Sequence, residues 1–267
     1  MISICIPVRT GSHLRAVLES ILESDFQEYE IIIIDASNRG SLKETFSDMN
    51  VNWLNVKGNT KLLEARYIGH RSAKGEYELL LDETRVVDKR LLSRLSELNS
   101  PMIAIAEREL GMSIWSRLAD KEKIYNAQGD NVPSPLENAF ILPRYYDRQT
   151  LDLAFGAIKD NLSVESFNTI TYGEHHLIFY ESARICSDIA MIKDPLIYHF
   201  GDSTIQEIFT KYHRYGQSSR IFRNTHYEFL MTYSTHKRKN IPLLKRAQFI
   251  PLFIARSIPF LLGYAGL

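Results

Sequence analysis

The sequence has 267 residues, 45% of them hydrophobic, and its formal net charge at pH 7 is zero. This length suits one large domain, or a domain with a short appendage, and the hydrophobic content suffices for a substantial core. Two cysteines, Cys5 and Cys186, exclude a disulfide framework and lack metal-site spacing, so a reducing intracellular setting is the default expectation. The N-terminal residues do not resemble a signal peptide, and secretion is not expected.

The charges are distributed unevenly along the chain. From Gln217 to Leu267 there are eight lysines and arginines against one acid, Glu228, so this segment carries +7 and the remainder −7. A basic segment attached to an acidic body predicts an anionic partner near the C-terminal end of the sequence. On charge alone, membrane phospholipid, a lipid phosphate and nucleic acid all qualify.

The first half of the sequence predicts alternating strands and helices. Four consecutive isoleucines at 31–34 are typical of a parallel strand that is covered on both faces. Ser12 is expected to cap the first helix, whose apolar residues keep helical spacing up to Leu22. The pattern indicates a doubly wound α/β fold. We predict strands at 2–8, 30–35, 51–56, 76–82 and 102–106, and helices at 12–22, 61–73 and 91–98.

The second half is less regular, and no linker long enough to separate two folding domains is present. Residues 139–144 are expected to form a strand that stops at Pro143. The helix that begins at 203 is expected to end at Gly216. Further predictions are helices at 148–158 and 174–186 and a strand at 195–200.

Polar and acidic residues follow the predicted strands of the first half. Pro7 to Arg9, Asp35 and Asp82 to Glu83 come directly after apolar runs. Ligands of open parallel sheets bind beyond the carboxyl ends of the strands, so these residues are expected to converge at one edge. There, one carboxylate could meet a ribose or base, and another could hold a divalent ion on a diphosphate. The alternative is that each acid only caps a loop or a helix start.

Three stretches, ISICIPVRT, EIIIIDAS and KLLEARYIGHRSAKGEYELLLDET, together resemble the nucleotide-binding half of family 2 glycosyltransferases, which have the GT-A fold. The resemblance covers about residues 1–95. It extends more weakly to 216 through ENAFILPRYY, GEHHLIFYESARI and IYHFGDSTIQEIFTKYHRYGQS. It implies a Rossmann-like GT-A fold in which helices cover both faces of a mostly parallel central sheet.

The resemblance also implies a division of the chain. Residues 1–216 would form the glycosyltransferase domain, with a nucleotide-binding half at 1–106 and an acceptor half at 107–216. Residues 217–267 would form a basic and apolar helical tail.

Several donor-binding residues follow from the same resemblance. Pro7 and Arg9 would line the nucleotide pocket, Asp35 would face the base or ribose, and Arg66 would support the donor. Lys211 and Arg214 could meet the leaving diphosphate; their place near a predicted helix end is explained equally well by the helix dipole.

The metal site that the resemblance implies is incomplete. Asp82 takes the first position of the D-x-D motif, but Asp82-Glu83-Thr84 lacks the second Asp. A site for Mn²⁺ or Mg²⁺ would use Asp82, Glu83 and His199. Alternatively, Arg9, Arg66 or Arg85 could neutralise the diphosphate without a tightly held ion, and His199 could be a core histidine with its hydrogen bonds satisfied.

The catalytic motif departs from the family as well. Where the family has Glu-Asp, this sequence has Glu174-His175-His176. An inverting transfer needs a base for the acceptor hydroxyl proton, and a carboxylate or a neutral imidazole can serve. His175 holds the position of the family's base and Glu174 is the nearest carboxylate. The alternative is that Glu174 starts a helix and both histidines are surface residues.

The C-terminal residues 241–267 are strongly apolar, with Arg256 as the one charge after Phe249. Pro251, Pro259 and the central arginine argue against a simple membrane crossing. An interfacial or shallow re-entrant helix fits better, with Lys237–Lys239, Lys245 and Arg246 facing headgroups. The alternative is a helix packed on the protein's own core. Nucleic acid is not expected as a partner, because aliphatic stretches interrupt the basic residues.

We therefore predict a hexosyltransferase that moves a sugar, with inversion, from a nucleoside-diphosphate sugar to a membrane-held acceptor such as a polyprenyl phosphate or lipid-linked glycan. It would be a peripheral protein on the cytoplasmic side of the membrane. Two alternatives remain open. A sugar nucleotidyltransferase would require a Gly-rich phosphate loop, and only Gly11 is present after the first strand. A non-catalytic scaffold is compatible with the incomplete motifs.

Overall fold

The computed structural model describes residues 1–37, 42–128, 133–136, 141–233 and 246–267, with only the backbone of 231–233. Within this part of the chain, eight strands form one sheet in the order β3-β2-β1-β4-β7-β6-β8-β5. The strands are β1 (Ile2–Val8), β2 (Tyr29–Asp35), β3 (Asn52–Asn55), β4 (Tyr77–Leu80), β5 (Arg85–Val87), β6 (Met102–Leu110), β7 (Pro143–Asp147) and β8 (Ile189–Phe200).

Four of the seven strand pairings are parallel. β1 pairs in parallel with β2 and β4, β2 with β3, and β6 with β8. β7 is antiparallel to both β4 and β6, and β5 is antiparallel to β8. The prediction of a mostly parallel central sheet is confirmed. Four of the five strands predicted in the nucleotide-binding half correspond to β3, β2, β1 and β4 and are neighbours, whereas β7 separates the fifth, β6, from them.

Helices follow most of the strands. They are α1 (Leu14–Leu22), α2 (Leu42–Thr45), α3 (Leu62–Ser72), α4 (Leu91–Glu97), α5 (Ile114–Ala127), α6 (Arg148–Asn161), α7 (Val164–Thr169), α8 (Glu174–Ile185), α9 (Ile205–Ser219) and α10 (Glu228–Tyr233). The last helix, Ile250–Ala265, is called the C-terminal helix below.

The sheet is covered on both faces, which explains the run of four isoleucines. Side chains of successive strand residues point to opposite faces. Ile31 and Ile33 belong to the hydrophobic cluster that contains α1 and α4, whereas Ile32 and Ile34 belong to the cluster that contains α3, α6 and α8. A central strand buried on both sides has no polar positions, so its sequence shows no alternation.

The start of α1 differs from the prediction. His13, not Ser12, precedes the helix, and it makes no side-chain capping hydrogen bond. The Ser12 hydroxyl lies 3.1 Å from that of Thr10, within the turn after β1. Leu22, the last of the apolar residues that keep helical spacing, is the final residue of α1 and is 44% exposed.

Two prolines occupy strand positions in the second half. β7 begins at Pro143, where the predicted strand was expected to stop; a proline is tolerated as the first residue of a strand because that position need not donate a hydrogen bond. β8 begins at Ile189, six residues before the predicted start. Its register to β6 shifts between the pairs of Ile192 and Ile197, and Pro195 lies in that irregularity. Residues 139 and 140 lie outside the described part of the chain.

α9 continues through Gly216 to Ser219, one turn beyond the predicted end. A Cβ atom at Gly216 would overlap the carbonyl oxygen of Phe260, and one at Gly263 would overlap that of His213. Glycine is therefore present to let the C-terminal helix approach α9 backbone to backbone. Because the helix continues to Ser219, Lys211 and Arg214 do not lie in its last turn, and the helix dipole does not explain their position.

This close approach leads to a prediction about stability. Gly263→Ala is expected to lower the free energy of unfolding by about 1–3 kcal/mol, because the added methyl group forces the two helices apart. Gly156→Ala in α6 is the matched control, since a Cβ there meets nothing within 4 Å. Replacing a helical glycine in open space is expected to stabilise by about 0.5–1 kcal/mol. Urea unfolding of both variants measures the difference; equal effects would contradict the packing.

Candidate active site

A cleft of about 460 Å³ opens at the carboxyl edge of the sheet. β1 lies between β2 and β4, and Val8 pairs with Asp35 while Cys5 pairs with Leu80. Asp35 and Asp82 therefore lie at the same edge, on either side of β1, as the sequence predicts. The predicted site residues that line the cleft are Pro7, Arg9, Asp82, Glu83, Glu174, His175, His199, Lys211 and Arg214.

Asp35 and Arg66 do not line this cleft. Asp35 is 7% exposed, and its carboxylate accepts a hydrogen bond from the backbone N–H of Ser37 at 2.9 Å. It stabilises the turn after β2, and the next residue, Ala36, faces the cleft instead. Arg66 is fully buried on α3, behind the cleft wall.

Asp82 is held by three guanidinium groups. Arg66 donates to its Oδ1 at 2.5 Å, Arg85 donates to its Oδ2, and Arg144 lies 3.6 Å from Oδ2. Burial alone would raise the pKa of Asp82, but these three positive charges outweigh burial and hold the pKa well below its ordinary value. Asp82 is therefore ionised at neutral pH, with both oxygens engaged.

A second carboxylate lies deeper in the same network. Arg144 donates from Nε to Glu107 on β6 at 2.5 Å, and Arg85 donates from Nε to the same oxygen at 3.1 Å. Lys123 of α5 lies 3.3 Å from the other oxygen of Glu107. Burial would raise the pKa of Glu107, but Arg144 and Arg85 keep it well below the ordinary value. Each of the two carboxylates thus contacts more than one cation, and Arg85 and Arg144 contact both carboxylates.

His175 is positioned by the same arginines. Its Nε2 lies 2.8 Å from Nη2 of Arg66 and 3.0 Å from Nη1 of Arg144. Guanidinium groups only donate, so this nitrogen must be the acceptor of a neutral imidazole. Burial and the positive charges of Arg66 and Arg144 keep the pKa of His175 well below its ordinary value. Its lone pair is thus occupied by two donors.

Glu174 is the first residue of α8. It follows Gly173, whose φ of 85° is a left-handed conformation that favours glycine. Its Oε1 lies 3.4 Å from Arg66 Nη2 and 3.8 Å from His175 Nε2. Burial raises the pKa of Glu174; Arg66 opposes this and Asp82 adds to it, with a net upward shift. A carboxylate of raised pKa on a cleft wall is suited to take up a proton.

Glu83 is turned towards the loop after β1. Its carboxylate accepts backbone hydrogen bonds from Arg9, Thr10 and Gly11 at 3.2, 3.1 and 2.6 Å. Glu83 therefore fixes the position of Arg9 beside the cleft.

His199 lies on β8 opposite Arg85 and beside Glu109 of β6. Its Nδ1 is 3.1 Å from the Glu109 carboxylate, which can only accept, so Nδ1 carries the proton. Burial and then the charge of Arg85 lower the pKa of His199 to about 3. The neutral ring therefore has Nε2 as its acceptor.

These residues do not fit a divalent metal ion of the D-x-D kind. Both oxygens of Asp82 are paired with arginines, and the carboxylate of Glu83 accepts backbone hydrogen bonds. Across the described ranges, no group of three or more His, Cys, Asp and Glu side chains is arranged to hold a metal. Of the three predicted metal-binding residues, only His199 has an acceptor atom, Nε2, that receives no hydrogen bond from a described residue.

The cleft carries a surplus of positive charge. Six cations and four acids line it, giving +2 with the histidines neutral. Lys211 is paired with Asp202 at 3.2 Å. Arg9, Lys61 and Arg214 make no ion pair with any described residue, and Arg9 and Arg214 are exposed. A dianion such as a diphosphate would therefore balance the charge of the cleft.

Sequence reasoning missed Lys61, Arg144 and Glu107. Arg144 could have been noticed as a charge next to the apolar run before Pro143, because a buried charge requires a partner. Glu107 gives a weaker signal, since it begins a run of three charged residues at the end of β6. Lys61 carries no such signal, since it precedes a helix like many surface lysines.

The strand order and the position of the cleft define a GT-A-like glycosyltransferase fold. Solved structures of S. aureus TarS share it: residues 1–349 of that protein in complex with UDP match with a TM-score of 0.55 and 15% identity, covering 98% of this chain and 80% of that one. The complex with UDP-GlcNAc matches with a TM-score of 0.56 and 14% identity, covering 98% and 81%. At this identity the likeness concerns the fold.

A curated relative supports the same class over part of the chain. The glycosyltransferase GlyG of Streptococcus pneumoniae serotype 4 (strain ATCC BAA-334 / TIGR4) is 30% identical over 101 residues, which are 36% of this chain. The match spans about a third (34%) of that relative's length. No protein-family model matches the chain.

Proposed function

We propose that this protein is an inverting glycosyltransferase that moves a hexose from a nucleoside-diphosphate sugar to a membrane-held acceptor. The observation that carries the proposal is the cleft itself. It lies at the carboxyl edge of β1 and β4, has a charge surplus of +2, and has a buried carboxylate of raised pKa on its wall. UDP and UDP-GlcNAc, which TarS binds, are the first donors to consider for this chain.

The donor would lie across the cleft from β1 towards α9. Pro7, Ala36 and Lys61 line the end near β2 and would meet the nucleoside. The diphosphate would lie near Arg85 and Arg214, whose positive charges stabilise a leaving nucleoside diphosphate. Asp35 and Arg66 would act indirectly, by fixing the turn after β2 and the position of Asp82.

Glu174 is the better candidate for the base. The lone pair of His175 Nε2 is already shared by two guanidinium groups, whereas the Glu174 carboxylate has a raised pKa and faces the cleft. In the proposed step, Glu174 takes the proton of the acceptor hydroxyl as its oxygen attacks the anomeric carbon. The bond from that carbon to the diphosphate oxygen breaks, and the nucleoside diphosphate leaves with the electron pair. His175 would orient Arg66 and Arg144.

The proposal includes no step through a metal ion, since the charge on the diphosphate is matched by side chains. We expect the Kd for UDP to change by less than about twofold between excess EDTA and millimolar Mn²⁺ or Mg²⁺. Isothermal titration calorimetry measures this without requiring turnover. A loss of binding in EDTA that either ion restores would contradict an arginine-based site and favour the D-x-D interpretation through Asp82 and His199.

The proposed activity is tested with a panel of nucleoside-diphosphate sugars. Slow release of nucleoside diphosphate from one donor supports a transferase. Release of pyrophosphate from a nucleoside triphosphate and a sugar phosphate would instead indicate a nucleotidyltransferase. If no member of the panel binds or turns over, the chain is a scaffold and the proposal is wrong.

The acceptor class is inferred from the C-terminal segment. Of the described helices, one is long and apolar enough to cross a membrane by length and composition alone: the C-terminal helix together with the 3₁₀ turn before it, Ala247–Ala265. We propose a peripheral enzyme on the cytoplasmic side of a membrane, because a polyprenyl phosphate or lipid-linked glycan cannot leave the bilayer. The basic residues 237–239 and Lys245, which enter that proposal, lie outside the described part of the chain.

A further inference from the structure

The C-terminal helix has two opposite faces with different surroundings. One face packs on the protein: Leu252, Pro259 and Gly263 are buried, and Arg256 forms an ion pair with Glu122 of α5 at 2.6 Å. Successive residues of a helix are turned by about 100°, so these four positions share one side. The charge in the middle of this apolar segment is therefore directed towards the protein.

The other face is an exposed apolar stripe, formed by Ile250, Ile254, Ile258 and Leu261. These side chains are 48% to 61% exposed. Their spacing of four, four and three residues aligns them along about 17 Å of the helix, at 1.5 Å per residue. No charged residue falls at these positions. An exposed apolar stripe of this kind indicates a surface that binds either another protein or the apolar part of a membrane.

The positive charge of the C-terminal segment favours an anionic membrane as the partner of this stripe. The segment from Gln217 to Leu267 carries eight cations against one acid. Two exposed arginines among the described residues lie near the end of the C-terminal helix. The guanidinium of Arg223 is 4.0 Å from the ring centre of Tyr264, and that of Arg220 lies beside Gly266. A second copy docked through the same helix would bring Arg220 and Arg223 towards the same cations of its partner, whereas anionic headgroups would be attracted.

We propose that the apolar stripe lies in the headgroup–acyl boundary of an anionic bilayer, with the helix axis in the membrane plane. The helix does not cross the bilayer, because its other face is held against α9 at Gly216 and Gly263. This inference deepens the proposed function by naming the surface that meets the membrane, and it rests on that function only for the identity of the acceptor.

The stripe is close to the cleft through α9. That helix packs along the C-terminal helix on one side and contributes Lys211, Arg214 and Tyr215 to the cleft on another. The ring of Phe260 lies 6.0 Å from that of Tyr172, which lines the cleft. The ring contact between Phe260 and Tyr172 thus joins the C-terminal helix directly to a residue that lines the cleft. A lipid-linked acceptor would reach Glu174 without leaving the interface.

Cosedimentation of the full chain with vesicles tests the proposal. We expect binding to phosphatidylcholine vesicles that contain phosphatidylglycerol, weaker binding to phosphatidylcholine alone, and loss of the difference as KCl screens the charges. The double variant Ile254→Asp/Ile258→Asp is expected to weaken binding to the anionic vesicles by at least about tenfold, because it places two charges in the boundary region.

Leu153→Asp is the matched control, since Leu153 is 51% exposed on α6, away from the C-terminal helix. It should bind vesicles like the unaltered chain. UDP binding by calorimetry should be unchanged in all variants, so loss of vesicle binding with intact UDP binding separates this inference from the proposed activity. If circular dichroism shows that the double variant is unfolded, Leu261→Asp alone replaces it.

Two results would overturn the proposal. One is an absence of binding to anionic vesicles by the unaltered chain, or undiminished binding by a folded stripe variant. The other is a stable dimer in gel filtration that the stripe substitutions dissociate, which would assign the surface to a second copy.

Discussion

Replacing Glu174 by Gln is expected to lower kcat for sugar transfer by about 10²–10⁴-fold, the usual contribution of a general base. The Kd for the nucleotide should change little, because the substitution keeps the shape of the side chain and its approach to Arg66. Steady-state kinetics together with UDP calorimetry measure the two effects separately.

The pH dependence gives a second signature of the same residue. A base must be ionised to accept a proton, and burial raises the pKa of Glu174 above the ordinary glutamate value. We therefore expect kcat to fall as the pH decreases through this raised pKa, at a higher pH than an exposed glutamate would give. In Glu174→Gln, this acid limb should be absent from the residual rate.

Glu181→Gln is the matched control on the same helix. Glu181 is buried and accepts a hydrogen bond from Tyr227 at 2.8 Å, but it does not line the cleft. It is expected to change stability and to leave kcat nearly unaltered. Equal losses of kcat in the two variants would mean that Glu174 acts only by supporting α8.

Replacing Arg66 by Met is expected to lower the free energy of unfolding by about 3–5 kcal/mol, the usual effect of removing one partner from a buried ion pair. The fully buried guanidinium contacts Asp82, Glu174 and His175. Without it, Asp82 loses the first of the charges that hold its pKa down, and Glu174 becomes harder to ionise. Urea unfolding measures the loss.

Arg71→Met provides the comparison within α3. Arg71 is 63% exposed and lies 3.7 Å from Asp152, which is also exposed. Such surface pairs contribute about 0–1 kcal/mol, so this variant should unfold almost like the unaltered chain. A similar, small loss in both variants would show that the network around Asp82 is not a stabilising feature.

The same network determines the expected effect of an Asp82→Ala substitution. The folded-state pKa of Asp82 lies well below the ordinary value, so its ionised form contributes stability above the unfolded-state pKa, and this is lost as the pH falls towards the folded-state pKa. Removing the carboxylate would leave Arg66, Arg85 and Arg144 with only Glu107 and Glu174 as nearby buried carboxylates. We expect loss of stability together with loss of donor turnover, rather than a folded, inactive protein.

Elements with strong local signals could be predicted from the sequence. The runs at 2–8 and 30–35 form central strands, and their apolar composition reports burial on both faces directly. β5 has only three residues, and it forms because β8 provides a partner more than a hundred residues later. The position of Pro195 in an irregularity depends on the register between β6 and β8, and no local pattern encodes that register.

In the site, too, some residues could be predicted from local sequence and others depend on contacts between distant segments. Asp82 could be placed at the cleft because it ends an apolar run, and Glu174 because it holds the position of the family's catalytic Glu-Asp motif in the resemblance. Their partners could not be assigned. Arg144 and Glu107 are separated by 37 positions in the sequence and come together through the antiparallel pairing of β6 and β7. Which acid an arginine meets is decided by strand order, which charge patterns alone do not contain.

The placement of β7 between β4 and β6 has a consequence for fragments of the chain. Arg144 reaches Asp82 from β7, and Arg214 of α9 lines the same cleft, so the network around Asp82 and the proposed diphosphate site both use residues that follow position 106. A truncated polypeptide that stops near residue 106 would retain Asp82, Arg66 and Arg85 but lack Glu107, the second carboxylate that Arg85 contacts. Nucleotide affinity is therefore expected only from a chain that extends past α9.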